Sequence, residues 1–355
     1  MEFLSDYGLF LAKAVTIVIC LVIVVMIVVA ASQKNIRGGK GHIEVTKLND
    51  RYEDMAHALK SVALDHEDLK RINKEEKKKH KQEKAEKKKS LKQNKEEAEM
   101  PLQKKRVFVI NFQGDIKASA ESNLREEITT VLTLATSTDE VVVCLESSGG
   151  MVHSYGLAAS QLQRIKNKNV PLTICVDKVA ASGGYMMACV ADKILAAPFA
   201  VIGSIGVIGQ LPNFHRLLQK IPVDYEMQTA GEYKRTLTLF AENTDKARQK
   251  FAQELEETHE LFKDFISDNR KELDVSTVAT GETWYGSRAL ERKLVDAIQT
   301  SDEYLTDQVA TADIFEVEYV HKKSLPEKFG ISLQSALDRL VLTWFDRLRL
   351  SRFFS

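Results

Sequence analysis

Hydrophobic and polar positions along the chain fall into distinct regimes. From Leu9 to Ala31 every side chain is apolar except Lys13 and Thr16. Those 23 residues, at about 1.5 Å each, cover roughly 34 Å, enough for a helix to cross a bilayer. The pattern then turns polar. Lys74 to Glu99 holds eleven lysines and seven glutamates, with only Ala85, Leu91 and Ala98 apolar, so this stretch has no face to bury. Past Pro101 come short runs rich in β-branched residues: VFVINF (107–112), EVVVCLE (140–146), PLTICVD (171–177) and DKILAAP (192–198). Each predicts a buried strand. Helical spacing fills Ser122 to Ala135 and His153 to Ile165. Strands alternating with helices imply parallel strands joined by crossovers, hence an α/β core. VIGSIGVIG (201–209) and GEYKRTLT (231–238) follow, then a long charged helix from about Asp245 to Arg270. Ser332 to Phe354 spaces its apolar residues by three and four, which predicts an amphipathic helix docked on the core, a neighbouring subunit or the membrane surface.

These regimes divide the chain into a transmembrane anchor (1–33), a charged linker or helical arm (34–104), a folded core (105–320) and a C-terminal amphipathic helix (321–355). A cleaved secretory signal is the competing reading of the first segment. Its length and the acidic Glu2 and Asp6 ahead of it favour retention in the membrane. Lys34, Arg37, Lys40 and Lys47 follow the span, and by the positive-inside rule they place the rest of the chain in the cytoplasm.

Composition adds little. The 355 residues are 44% apolar and carry no formal net charge, so bulk charge names no partner. The lysine-rich arm lacks the aromatic or motif support that nucleic-acid binding needs and reads as a spacer with some attraction to anionic lipid. Cys20 sits in the apolar span, and Cys144, Cys175 and Cys189 sit in apolar runs. They show no zinc spacing and no disulfide framework, so no metal and no cofactor are expected.

Two crossovers begin with paired glycines soon after a strand: Ser147-Ser148-Gly149-Gly150, and Ala181-Ser182-Gly183-Gly184-Tyr185. Glycines there let backbone N–H groups point outward at a helix start, where the dipole favours an anion. A serine before glycine is ordinarily a turn or a cap, and it becomes a candidate nucleophile only with a base. Of the eight histidines, four precede the core; His153, at the helix start after Gly150, is the one to weigh, and a solvated first-turn residue is its plainer reading. Lysine serves as a base only when neutral. Lowering its pKa from about 10.4 to about 8 requires roughly 3 kcal/mol of destabilisation of the charged form, which an apolar site can supply. The base sought is therefore a lysine embedded among uncharged neighbours.

At this point the residues resemble a known family, the signal peptide peptidase A proteases with a Ser-Lys dyad, and most closely its membrane-anchored members, over about Val107 to Leu305. The family's A-S-G-G-Y turn is matched at Ala181 to Tyr185, and its G-x-Y-K segment at Gly231-Glu232-Tyr233-Lys234. The resemblance implies Ser182 as nucleophile and Lys234 as general base. It further implies that Ser204, in the G-S-I-G-V segment, hydrogen-bonds and orients that base. The family's S-P-G-G loop resembles Ser147 to Gly150, with Ser148 in place of proline, implying an oxyanion-hole amide at Gly150 beside that of Gly183. Gly281 to Asp296 is similar to the family's closing segment, with Lys293 where glycine is usual.

The fold so implied is a ClpP/crotonase-like spiral of strand-strand-helix units after one transmembrane helix. The implied substrates are leftover signal peptides or other membrane-associated polypeptides, held in apolar grooves of a ring-like homo-oligomer. The family's known sites face outward from the inner membrane, into the periplasm, in conflict with the charge rule. A crotonase-like acyl-CoA enzyme and a catalytically silent membrane scaffold stand as the alternatives.

Overall fold

The structure, a computed structural model, describes residues 41–65, 104–221 and 223–321, together with residues 8, 10, 11, 13, 15–20, 71 and 74. Most of the apolar run from Leu9 to Ala31, the arm beyond Lys74 and the helix expected at Ser332 to Phe354 lie outside the described residues. Among the described residues no helix is long and apolar enough to cross a membrane.

In chain order the elements are β1 (His42–Lys47), α1 (Leu48–Ala63), β2 (Lys105–Gly114), α2 (Glu121–Leu132), β3 (Glu140–Ser147), α3 (Val152–Lys166), β4 (Leu172–Val176), β5 (Val179–Ala181) and α4 (Gly183–Ala188). They continue as β6 (Lys193–Ala196), β7 (Val201–Gly203), α5 (His215–Lys220), α6 (Asp245–Asn269), α7 (Val275–Val278), β8 (Thr283–Tyr285), α8 (Gly286–Glu291), β9 (Ala297–Ile298), α9 (Ser301–Gln308) and β10 (Ala312–Val320). The sheet runs β1-β10-β2-β3-β4-β6-β9, and from β3 a branch leads through β5 and β7 to β8. The expected α/β architecture is present, with β2, β3, β4 and β6 parallel to one another.

The apolar runs are unbroken because both faces of the sheet are covered. Successive side chains of a strand point to opposite faces. Phe108, Ile110, Val141 and Val143 pack with Leu124 and Ile128 of α2 and Leu162 of α3. Val107, Val109 and Val142, one register step away, pack with Leu48 of α1 and Leu305 of α9. Full burial of each such side chain stabilises the fold by about 1.5–3 kcal/mol.

The chain divides into two units, one of residues Ile43–Glu318 and one of Met1–His42 with Tyr319–Ser355. In the latter, residues 15–20 are helical, and the Tyr319 and His321 rings meet edge to face at 5.0 Å. The former begins well before the expected core boundary at residue 105. β1 from Ile43 onward and the whole of α1, from the stretch read as linker, belong to it. Asn49 explains why: its side-chain amide donates to the Val309 and Ala312 carbonyls at 3.1 and 3.0 Å, and its oxygen accepts from the Ile314 N–H at 2.7 Å. One buried asparagine thus fastens α1 to the start of β10.

Register brings the carboxyl ends of four strands together. Gly114 of β2 lies opposite Ser147 of β3, Ser147 opposite Ala180 of β5, and Ala181 opposite Gly203 of β7. In open α/β sheets this is the edge at which ligands bind.

Candidate active site

β5 ends at Ala181, α4 begins at Gly183, and Ser182 alone makes the turn between them, with φ 52° and ψ −118°. That backbone is strained for a non-glycine residue, at about 1–3 kcal/mol, and persists only where neighbours hold it. Here the Ser182 N–H donates to the Gly203 carbonyl at 2.7 Å, tying the turn to the end of β7. The strain projects a half-buried serine from a strand-to-helix corner.

The glycines after Ser182 are required by close approach. A Cβ on Gly183 would stand 2.4 Å from Cγ of Tyr155, and one on Gly184 would stand 2.4 Å from the Ser147 carbonyl oxygen. Tyr185 then anchors the short helix from its other side, its hydroxyl donating to the Leu294 carbonyl at 2.9 Å.

The second glycine turn lies against the first. Gly149 has φ +87°, and a Cβ there would meet the Gly183 nitrogen at 2.6 Å and Cβ of Ser182 at 2.8 Å. Its N–H donates to Ser147 Oγ at 3.0 Å, and the Met151 N–H donates to the Ile116 carbonyl at 2.8 Å. Between these two engaged amides, the Gly150 N–H meets no protein acceptor among the described residues, and neither does that of Gly183. Two unpaired donors on touching turns, beside one projecting hydroxyl, can receive a carbonyl oxygen as it becomes an anion.

Ser204 follows Gly203 directly, with φ 50° and its N–H donating to the Glu282 carbonyl at 2.6 Å. The structure therefore gathers Ser182, Gly183, Gly150 and Ser204 in one place. Lys234 it does not bring into contact: among the described residues no hydrogen bond or ion pair joins Lys234 to Ser182 or Ser204. The lysine is exposed, on a turn closed by its own N–H to the Gly231 carbonyl at 3.2 Å. Expected among uncharged neighbours and shielded from water, it is neither in this single chain. The reason is visible in the segment that carries it, where Ile208, Leu217, Val223 and Tyr225 turn apolar side chains to solvent rather than onto the core. Next to it, Glu232 pairs with Lys246 at 2.5 Å, and Lys246 and Lys250 stand 5.7 and 5.6 Å from the Tyr233 ring.

His153 is exposed on the first turn of α3 and has no hydrogen bond to Ser182 among the described residues. Burial pushes the Cys144 thiol up to about 11 and that of Cys189 to about 12, so both stay protonated and unreactive. Tyr155, which with Ser147 pins the glycine turns from beneath, is not singled out by sequence, where Ser147 enters only as the first residue of its turn. The one signal for Tyr155 is an aromatic residue at an inward position of a helix that follows a glycine pair.

A strained serine between strand and helix, with free glycine amides beside it, fits the nucleophile turn of a serine hydrolase. The chain belongs to peptidase family S49: residues 2–162 match the description "Peptidase family S49 N-terminal" and residues 164–314 match "Peptidase family S49". It is a serine-type peptidase, and the resemblance read from its motifs is borne out. Its relatives include a protein named "Probable protease SohB" from Haemophilus influenzae, 49% identical over 96% of each chain. One of the same name from Buchnera aphidicola subsp. Acyrthosiphon pisum is 45% identical over 97% of this chain and 98% of that one. A solved membrane-bound stomatin-specific protease in complex with a substrate peptide is 14% identical, covers 66% of this chain and all of that one, and has a TM-score of 0.40, too loose a likeness to bear on the site.

Proposed function

We propose that the chain is a membrane-anchored endopeptidase in which Ser182 attacks a peptide carbonyl, Lys234 takes the serine proton, and the Gly150 and Gly183 amides hold the oxyanion. Lys234, then charged, protonates the leaving amine; water attacks the acyl-enzyme with the lysine again as base, releasing the new carboxylate and restoring the serine. Ser204 orients the lysine. No metal or cofactor enters.

The observation that carries this reading is the contact of the two glycine turns around Ser182, which sets the Gly150 and Gly183 N–H groups, both without a protein acceptor among the described residues, beside one projecting hydroxyl. The base must be dried on assembly. A second copy laid over the apolar side chains of residues 207–240 would exclude water from Lys234, in keeping with a homo-oligomer. Ile116 and Met151, exposed beside Gly150, suit a substrate with apolar side chains, such as a signal peptide or another membrane-associated polypeptide. The strand-strand-helix succession β4-β5-α4 followed by β6-β7 fits a spiral of the ClpP/crotonase kind. Leu9 to Ala31 would anchor the chain in the inner membrane. Its basic flank favours a cytoplasmic core and the family a periplasmic one, and a reporter fused after residue 355 reads the side.

The test is the pH dependence of peptide cleavage by the full chain and its Lys234→Ala variant. Loss of the acidic limb in the variant is expected; an unchanged limb removes the lysine from the mechanism. A serine-directed probe should label the wild type and not Ser182→Ala. A wild type that never labels returns the reading to a silent scaffold.

A further inference from the structure

Beneath the two glycine turns runs a chain of hydroxyls whose direction is fixed by its end. Tyr155, fully buried on α3, donates to the Asp115 carbonyl at 2.7 Å. A carbonyl has no proton to give, so the phenol proton is committed there. At its contact with Ser147 Oγ, 2.6 Å away, the tyrosine oxygen must therefore accept and the serine must donate. Ser147 Oγ in turn accepts from the Gly149 N–H at 3.0 Å. Every donor in the series Gly149, Ser147, Tyr155 is used once, and each bond polarises the next.

The end of this series rests on a braced loop. The Asp115 carboxylate accepts from the N–H groups of Lys117 and Ser119 and from the Ser119 hydroxyl. These bonds to Ser119 and Lys117 hold its pKa below the usual carboxylate value. Ile116 of the same loop receives the Met151 N–H, on the far side of Gly150. The ring of Tyr155 also bounds the other turn, for its Cγ would stand only 2.4 Å from a Cβ placed on Gly183.

We infer that Tyr155 is the positioning residue of the oxyanion pair, setting Gly150 through its hydroxyl and Ser147, and setting Gly183 through its ring. This rests on the hydrolase reading above. By engaging Gly149, the hydroxyl chain leaves Gly150 as the next free amide. Because one side chain touches both turns, it fixes their separation. Burial raises the phenol's pKa, so the series keeps its protons across the working pH range.

The experiment compares the full chain with Tyr155→Phe, which keeps the ring and removes the hydroxyl, with Ser147→Ala, and with the double variant. The rate is measured per site titrated by a serine-directed probe, on an internally quenched apolar peptide, and the binding of a peptide aldehyde is measured in parallel. The aldehyde binds through a tetrahedral adduct that needs the oxyanion donors; the peptide's ground state does not. Each single variant should lose about tenfold in kcat with KM held within about twofold, and should lose the same factor in aldehyde affinity. The double variant should lose no more than the larger single, because the two hydroxyls act in series. A merely structural role would lower Tm and the titratable fraction but leave the rate per titrated site unchanged, and that result overturns the inference. So do losses that multiply in the double variant. If Tyr155→Phe does not fold, Ser147→Ala carries the same expectation. A wild type that neither labels nor binds the aldehyde overturns the hydrolase reading, and this inference with it.

Discussion

Replacing Gly149 by alanine would force apart the two turns proposed to hold the oxyanion. The added Cβ would stand 2.6 Å from the Gly183 nitrogen and 2.8 Å from the Ala181 carbonyl oxygen, both backbone atoms that cannot swing aside. Restoring ordinary contact at 3.4 Å needs a shift of 0.8 Å between the turns. Misplacement on the order of 1 Å in a catalytic constellation costs about a hundredfold in rate. The same substitution puts a side chain at φ +87°, at about 1–2 kcal/mol, and overpacks a tight corner at about 1–3 kcal/mol. Together these lower stability by about 2–5 kcal/mol, or roughly 5–15 °C in Tm for a unit of this size.

Gly156 supplies the control. It lies in the second turn of α3, and a Cβ there meets nothing within 4 Å. Gly156→Ala should stabilise the helix by about 1 kcal/mol and leave cleavage unchanged. The assay is steady-state cleavage of a quenched peptide beside thermal melting of both variants, each at a temperature where it is fully folded. Gly149→Ala should lose about a hundredfold in kcat with little change in KM. If it keeps its kcat within about threefold while its Tm falls as expected, the spacing of these turns does not set the rate and the oxyanion assignment fails.

Three further outcomes follow from the packing. Burial would raise the Asp139 carboxyl, but the Arg106 guanidinium, at 2.9 and 2.6 Å, and the N–H and hydroxyl of Thr136 outweigh it and hold the pKa at about 2. Its contribution, about 2 kcal/mol, is present above the unfolded value near 4 and is lost as pH falls through about 2; denaturant melts should show that acid limb in the wild type and not in Asp139→Asn. Lys293 stands at φ 61° just past α8, with its N–H on the Leu290 carbonyl and that of Leu294 on the Ala289 carbonyl. That is a helix stop favouring glycine, so Lys293→Gly should raise stability by about 0.5–1 kcal/mol in the same melts without altering cleavage. Ser182→Gly should abolish cleavage yet raise Tm, because the strain at φ 52° is worth about 1 kcal/mol or more; an unchanged or lowered Tm would show the turn to be relaxed.

Why some of this was legible in sequence and some was not comes down to what each residue contacts. VVVC reads as a strand because Val141, Val142 and Val143 are each wholly buried, so burial on both faces leaves an unbroken apolar run. The AASGGY turn reads as special because the Tyr155 ring and the Ser147 carbonyl approach the chain on two sides there, and only glycine fits. β1 and α1 were hidden because one is held by pairing with β10 and the other by Leu48 and Asn49, two buried residues in a polar stretch whose average composition is that of a linker. The Tyr155 to Ser147 contact was hidden differently. Eight residues separate the pair, and the turn that folds one over the other has to be known before they can be seen to meet. The surroundings of Lys234 were beyond reach because the apolar side chains around it face away from their own core.

The two halves of the proposed reaction make opposite demands on a fold. An oxyanion pocket has to be rigid before charge arrives, since dipoles that must reorient give back much of their stabilisation. The ends of parallel strands provide this, and around Gly150 the amides on either side, Gly149 and Met151, are already engaged. A neutral lysine has to be dry, yet water can be excluded only by something that also admits a substrate. Lys234 sits on a segment whose apolar side chains face solvent, so on the proposed reading the dry surroundings that a lysine base needs come from whatever covers that segment. On the proposed reading, control of hydrolysis falls on the covering of that segment, while the serine corner, fixed in advance, sets how fast the covered enzyme turns over.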